Sequence, residues 1–351
     1  MGLFDRGKSI LGLDIGSHTI KAIVLDQAKS GMLLSAVGLV NLPPQAIVDG
    51  AIQEKGVIVA AVKNLLNSLK VKVKNVCTSI SGYSVIIKKI TLPTATREEL
   101  AKSIEVEAEQ FIPFDISEVN VDFQIIGESE RNPEQMEVIL VAAKKDVIGA
   151  YMELLVESGL KPTIIDIDVF ALENAFTHSY PEVQETVALV DIGANKMNIN
   201  IIRQGMSLLT KDAAMGGARI TDEIQDKFDL EYQEAEAVKL GAQASSDPEA
   251  VTEIVSRAVE NWVAEAKRTL DYMQASYPGE KLSRIYLSGG SCRIPGLEQL
   301  FTKQLEVPVE LLNPFLKVGV NTSKFDPTYI EYLAPQVSVC LGLALRRGEK
   351  I

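Results

Sequence analysis

The chain alternates short apolar runs with longer stretches of helical spacing. Residues 10–25, ILGLDIGSHTIKAIVL, set the pattern: an apolar run at 10–13, a polar tip at Ser17, His18 and Thr19, and an apolar return at 20–25. Two apolar runs around a glycine-bearing polar tip predict a β-hairpin. Residues 187–202, VALVDIGANKMNINII, repeat it, with the same Asp-Ile-Gly tripeptide at 191–193 and a tip of Ala194, Asn195 and Lys196. Each half of the 351-residue chain opens with one copy, and an internal repeat bears on the whole architecture.

The rest of the pattern builds on these hairpins. Residues 33–42 predict a third strand. Residues 56–69 predict a helix with apolar positions at Val59, Val62, Leu65, Leu66 and Leu69, and 76–81 predict a returning strand. This βββαβ order outlines one mononucleotide-binding unit with mixed strand directions. Between 83 and 162 the order becomes strand (85–92), helix (97–111), two strands (119–126 and 137–142) and helix (145–158). That βαββα block interrupts the first unit and reads as an inserted subdomain. Thr96 and Glu99 form a capping box, Pro113 stops the first helix, and Gly159 ends the second. The charged stretch 127–135 is expected to be a mobile loop. A strand at 163–167 leads to Asp168 and a helix to 178. After the second hairpin come Met215-Gly216-Gly217, a helix at 218–228, and a short helix at 233–240 with Glu236 and Lys239 on one face. A long helix then runs from the Asp247–Pro248 start to 276. A strand at 284–288, the turn Gly289-Gly290-Ser291, a helix from Pro295 to 305 and a final helix at 334–346 complete the chain.

Composition narrows the class. A 46% hydrophobic, 23% charged, aromatic-poor sequence suits an α/β protein large enough for two domains. A net charge of −12 argues against nucleic acid and against unaided binding to anionic lipid. Cys77, Cys292 and Cys340 show no pairing pattern, as expected in a reducing compartment. With only His18 and His178, a histidine-based metal centre is not expected. No apolar stretch reaches the roughly 18 residues of a spanning helix. Residues 2–9 fit G-x-x-x-x-G-K-[ST], yet a strand follows them where the phosphate-binding P-loop needs a helix, so that reading is rejected.

The hairpin tips carry the candidate chemistry. Small residues at a tip aim successive backbone N–H groups at one point, a nest that attracts anions. Asp14 stands beside the first nest, where a carboxylate repels a bare phosphate unless a cation lies between them. Magnesium is usually held by one or two carboxylates with water and phosphate. Lys21 follows on the return strand as a point charge for a phosphate. Two facing copies could then hold one polyphosphate from both sides, with Asp14 and Asp191 around one magnesium ion. The strand, glycine pair and helix start at 284–295 let a flat or anionic group approach the backbone.

In this order and spacing, LDIGSHTIKA, VDIGANKMNI and YLSGGSCRIPGL resemble the two phosphate loops and the adenosine loop of the actin-type ATPase superfamily. The helices at 169–176 and 334–345 resemble its connecting helices. The inserted block sits where the cell-division protein FtsA carries its replacement subdomain. Within that branch, the MGLF start, LPPQAIVDGAI and EAEQFIPFDISEVNVDF (107–123) resemble the PilM family of type IV pilus assembly proteins. The resemblance implies an actin-like ATPase fold: a first domain at 1–82, an FtsA-type insertion at 83–162, a connecting helix at 163–186, a second domain at 187–330 and a returning helix at 331–351. It implies ATP and magnesium. Asp14 and Asp191 would serve the metal. Gly16, Ser17, His18, Thr19 and Lys21 would surround the β and γ phosphates from one side, and Gly193, Ala194, Asn195 and Lys196 from the other. Gly216 and Gly217 would approach the sugar and α-phosphate, Glu236 and Lys239 the ribose or adenine, and Gly289, Gly290 and Ser291 the adenosine. Asp168 takes the place of the residue that orients attacking water, beside the alternative of a helix-capping carboxylate.

The implied function is a cytoplasmic ATP-binding scaffold, peripheral to the inner membrane, that grips the cytoplasmic tail of PilN among other pilus components. An FtsA-like polymerising ATPase, with homo-oligomers, and a small-molecule kinase of the same fold stay open. FtsA continues into an amphipathic membrane helix; the sequence ends at Ile351 without one, so membrane contact is expected only through partners. His18 replaces the smaller residues often seen in the loop, narrows the γ-phosphate site, and makes fast hydrolysis an unlooked-for property. The segment Phe111-Ile112-Pro113-Phe114 and the strand at 85–92 are the expected partner-binding features of the insertion.

Overall fold

The computed structural model describes residues 9–29, 31–48, 50–129 and 132–346. The rejected P-loop match, Ser9 apart, lies outside the described residues. The first unit opens with β1 (Leu11–Ile15), β2 (Thr19–Ala28) and β3 (Gly31–Asn41). The small ribbon β4 (Ile47–Val48) and β5 (Ala51–Ile52), helix α1 (Lys55–Ser68) and strand β6 (Asn75–Ile80) follow. The insertion comprises β7 (Val85–Pro93), α2 (Arg97–Ala108), β8 (Val119–Ser129) and β9 (Asn132–Lys144). Next come α3 (Lys145–Glu157), β10 (Lys161–Ile167) and α4 (Asp168–Ser179). The second unit contains β11 (Val187–Ile192), β12 (Met197–Arg203), β13 (Met206–Ala213), α5 (Ala218–Phe228), α6 (Tyr232–Lys239) and α7 (Pro248–Ser276). It closes with β14 (Arg284–Ser288), α8 (Leu297–Leu305) and β15 (Val309–Leu311). The chain returns through β16 (Val318–Gly319), α9 (Pro327–Leu333) and α10 (Ser338–Leu345).

The repeat extends from two hairpins to two sheets. The first sheet runs β10-β6-β1-β2-β3-β16 and the second β13-β12-β11-β14-β15. Read from the third strand of each unit, β3-β2-β1-β6-β10 matches β13-β12-β11-β14-β15. Each hairpin is antiparallel and gains a parallel neighbour on its first strand. Register makes the copies comparable: Asp14 lies opposite Lys21, and Asp191 lies opposite Asn198. The central strand β1 is buried along its length, as both faces of its sheet carry helices.

The apolar positions form separate cores. Trp262 and the rest of the α7 stripe pack with β11, β12 and β14 in the second unit. In the first unit, α1 packs on Leu11 and Leu13. Helix α10 is apolar on all sides and buried from Ser338 to Ala344. One face joins Ile23 and Leu25, and the other joins α4, Leu189 and Tyr286 between the units. Gly342 is what lets α10 meet α4 closely: an ideal Cβ there would lie 1.7 Å from the Ala171 carbonyl oxygen.

Three expectations change. The insertion's own core, built on Ile90, Leu100, Ile104 and Leu140, draws on residues no later than Ala142. Helix α3 instead sends Tyr151, Leu154 and Leu155 into the first unit. Helical periodicity announces a buried face but not its partner, so the expected block at 83–162 was too long. Likewise β16 pairs with β3, so the chain returns to the first unit before 331. The described residues of 127–135 do not form an open loop: β8 and β9 remain paired from Gly127–Glu137 to Ser129–Asn132. A ribbon this polar shows no alternation to mark it. Phe111 and Phe114, half-buried, pack against the insertion core. The Thr96–Glu99 capping box and the Asp247 cap on α7 form as expected.

Candidate functional site

The two hairpin tips fold alike. The Gly16 N–H donates to the Thr19 carbonyl at 3.1 Å, and the Gly193 N–H donates to the Lys196 carbonyl at 2.9 Å. Both tips wall a cleft of about 760 Å³, within the size range of small-molecule sites. Asp14, Gly16, Ser17, His18, Thr19, Lys21, Asp168 and Asp191 line it. So do Gly193, Ala194, Asn195, Lys196, Glu236, Lys239, Gly289, Gly290 and Ser291. Thus residues from distant parts of the chain meet around one space.

Gly216 and Gly217 do not line the cleft, contrary to the expectation for them. They sit behind its wall: a Cβ on Gly216 would lie 2.3 Å from the Ala194 carbonyl oxygen, and one on Gly217 2.4 Å from Ser291 Oγ. Their N-terminal position on α5 brings backbone against backbone, with Gly217 and Ala218 N–H groups donating to Gly193 and Ala194. Those contacts leave no room for a Cβ at either position.

Charge is distributed unevenly. Lys21 Nζ donates to Asp14 Oδ2 at 2.7 Å, with both side chains largely buried. Lys196 Nζ donates to Asp168 Oδ2 at 2.5 Å, and Ser81 Oγ donates to the same oxygen at 2.7 Å. Burial works to raise the Asp168 carboxyl, but Lys196 and the serine hydroxyls outweigh it and hold it below the usual range. Asp191 differs. Burial pushes its carboxyl up to about 6, Asp168 and Asp14 add to the rise, and the more distant Lys21 and the Ser288 hydroxyl only partly oppose it. Among the described residues, Lys21 bonds Asp14 and Lys196 bonds Asp168, whereas Asp191 and Asp212 line the cleft with no lysine bonded to them.

That donor set fits a hard cation. Carboxylate oxygens suit magnesium, and Asp191 carries negative charge that the protein leaves under-compensated. The described residues contain no group of three or more His, Cys, Asp or Glu poised to hold a metal alone. An ion kept mostly by water and phosphate, with Asp14 and Asp191 nearby, matches that arrangement.

Lys239 is a buried post in the cleft wall. It is 5% exposed, and its Nζ donates to the Gly217 carbonyl, to Thr221 Oγ1 and to Glu236 Oε2. Burial lowers its pKa while Glu236 resists. Gly289 has φ +92°, and a Cβ on it would meet the Ile192 carbonyl oxygen at 2.4 Å, so glycine is required by both conformation and space. Ser291 Oγ donates to the Gly193 carbonyl at 2.9 Å, tying this loop to the second hairpin.

Several lining residues escaped the sequence reading. Tyr232 stacks on His18 with ring centroids 5.5 Å apart, joining the first hairpin tip to α6. Burial lowers the His18 pKa, opposed by Glu236. Tyr232 stands four residues before Glu236, so a helical-face count could have found it. Arg293, Tyr332 and Gln336 also line the cleft, with the Arg293 guanidinium 5.0 Å from the Tyr332 ring centre. No local signal marks Tyr332 and Gln336, because they come from the returning segment, whereas Arg293 lies within the YLSGGSCRIPGL stretch.

Known proteins share this fold. The chain is 26% identical to a solved PilM–PilN type IV pilus biogenesis complex, covering 98% of this chain and 99% of that one at a TM-score of 0.88. The structure of EutJ from Carboxydothermus hydrogenoformans shares the fold at 17% identity and a TM-score of 0.59, over 96% of this chain and 89% of that one. FtsA of Bacillus subtilis is 24% identical over 259 residues, which is 67% of this chain and 58% of FtsA. EutJ of Salmonella typhimurium is 28% identical over 152 residues, 43% of this chain and 46% of EutJ. The chain therefore spans about half the length of these curated relatives. The architecture is the actin-like ATPase fold. The model of the family "Type IV pilus assembly protein PilM" matches residues 12–348, so with its duplicated sheets and the cleft between them this chain belongs to the PilM family of type IV pilus assembly proteins.

Proposed function

We propose that this chain is an ATP-binding scaffold of the inner-membrane complex that assembles type IV pili, and that it holds the cytoplasmic N-terminal tail of PilN. The end-to-end likeness to a PilM–PilN complex carries this reading. In it, the tips at Gly16, Ser17, His18 and Thr19 and at Gly193, Ala194, Asn195 and Lys196 bind phosphates, helped by Lys21. Asp14 and Asp191 hold magnesium, which offsets phosphate charge when bound. Asp168 is a weak base, because Lys196 and Ser81 already occupy it, so hydrolysis is slow at most.

Lys21→Ala should bind a fluorescent ATP analogue more weakly. Lys21 shares its charge with Asp14, so the loss falls at the low end for a charged hydrogen bond, about 1.5–2 kcal/mol, roughly tenfold to thirtyfold. Fluorescence titration in magnesium measures it, and phosphate release can be followed in the same samples. Wild-type affinity in the variant would remove the nucleotide from this cleft. Rapid turnover unaffected by Asp168→Ala would show that another base acts.

The insertion is the proposed PilN-binding part, with contacts to other pilus components and copies of the chain in the same complex. Its sheet runs β7-β9-β8. Lys89 on β7 lies 5.3 Å from the Tyr277 ring centre in the second unit, so β8 is the better edge for an added strand. No helix among the described residues is long and apolar enough to cross a membrane, and the tail of PilN supplies the link to one. Titration with the PilN N-terminal peptide, followed by hydrogen exchange on the intact chain, should show new amide protection in the insertion. Protection confined to the second unit, or no binding, would refute this assignment.

A further inference from the structure

We infer that Gln336 reads the nucleoside end of the bound nucleotide, accepting a hydrogen bond from an N–H or O–H of its base or ribose. The inference rests on the nucleotide reading of the cleft. Gln336 is 6% exposed and lines the cleft wall. Its Oε1 is buried with no hydrogen-bond partner among the described residues. Buried polar atoms are nearly always paired, and one left empty calls for an explanation.

The position of the side chain identifies what is missing. An ideal Cβ on Gly290 would lie 3.7 Å from Gln336 Nε2, so the amide stands against the Gly289-Gly290-Ser291 loop. The backbone under it is held firmly. The Pro335 carbonyl accepts from the Gly289 N–H and from Ser288 Oγ, both at 2.9 Å. Ser338 Oγ donates back to the Ala334 and Pro335 carbonyls at 3.2 Å. The backbone under the amide is therefore fixed before any ligand arrives, and a rotation of the terminal amide is what turns Oε1 from its buried position to the cleft. Phosphate oxygens at neutral pH are acceptors and would be repelled by it. Bases and ribose hydroxyls bring donors, and these belong to the end of the nucleotide that lies away from Lys21 and Lys196.

The test replaces Gln336 with leucine in the full chain, with Gln336→Met as a second variant of similar shape. Removing an unpaired buried amide should leave the thermal midpoint of the ligand-free protein equal or higher. ATP affinity should fall about tenfold, the loss of one good hydrogen bond. Titrations then compare ATP with purine riboside triphosphate, which lacks the 6-amino group, and with 2′-deoxy and 3′-deoxy ATP. For the analogue lacking the donor that Gln336 uses, wild type and variants should bind equally. That pattern identifies the donor as base or ribose. Unchanged ATP affinity in both variants would overturn the inference alone. An equal loss for every analogue would also overturn it, by placing the effect in the loop backbone. A wild type that binds no nucleotide would bring down the cleft reading and the inference together.

Discussion

Gly342→Ala should destabilise the protein by about 2 kcal/mol or more, although alanine is the better helix former. Two effects oppose each other. Within α10 the substitution gains up to about 1 kcal/mol of helix propensity. Against this, the new Cβ would lie 1.7 Å from the Ala171 carbonyl oxygen and 2.6 Å from its carbon. Both are backbone atoms of α4, so no rotamer change relieves the clash and a helix must shift. Overpacking usually costs about 1–3 kcal/mol, and a backbone clash belongs at or above the top of that range. Gly149→Ala in α3 is the control, since nothing lies within 4 Å of its Cβ position; it should gain about 0.5–1 kcal/mol. Urea midpoints with unchanged slopes would measure both. Equal stabilisation by the two substitutions would show that α10 and α4 do not pack as described.

Asp191→Asn should stabilise the ligand-free protein by about 2–3 kcal/mol at pH 7–8. Burial raises the Asp191 pKa from its ordinary value near 3.8 to about 6. The folded protein therefore holds this proton more tightly than the unfolded chain does. The sign follows: stability is highest below about pH 4, falls as pH rises through about 6, and stays low above it. Asparagine never ionises, so its advantage should appear between about pH 4 and pH 6 and then level off. Denaturant melts at pH 4 and pH 8, without divalent cations, would test this. A gain of equal size at both values, or a loss at pH 8, would contradict the pKa assignment. Adding magnesium and ATP should narrow the gap by stabilising the wild type.

Much of the fold was legible because its signals are local. A polar tip between apolar runs marks a hairpin wherever it occurs, and Thr96, Glu99, Asp247 and Pro248 announce helix starts within four residues of each other. The repeat was visible because Asp-Ile-Gly recurs at the same place in each hairpin. What stayed hidden depends on partners far along the chain. The helix at 145–157 shows an apolar face but cannot state that α1 and β10 will cover it. Nothing near Lys196 in the sequence announces that the fold sets Asp168 beside it. Gln336 and Tyr332 carry no motif, and reach the cleft only because the chain turns back to the first unit. Gly216 and Gly217 look like a ligand loop because glycine permits close approach, and here it also lets the protein's own backbone and the Ser291 side chain come near.

The register of the two hairpins sets an electrical polarity across the cleft. Where the first copy places Lys21 opposite Asp14, the second places the uncharged Asn198 opposite Asp191. Two sheets with matching strand order thus present unlike faces: one carboxylate is answered by a lysine on its own hairpin, and the other by a neighbouring hydroxyl and a lysine across the gap. A divalent ion in the space would be drawn toward the second unit, while the first would contribute geometry more than charge. One side chain in each copy is enough to make a symmetrical frame directional.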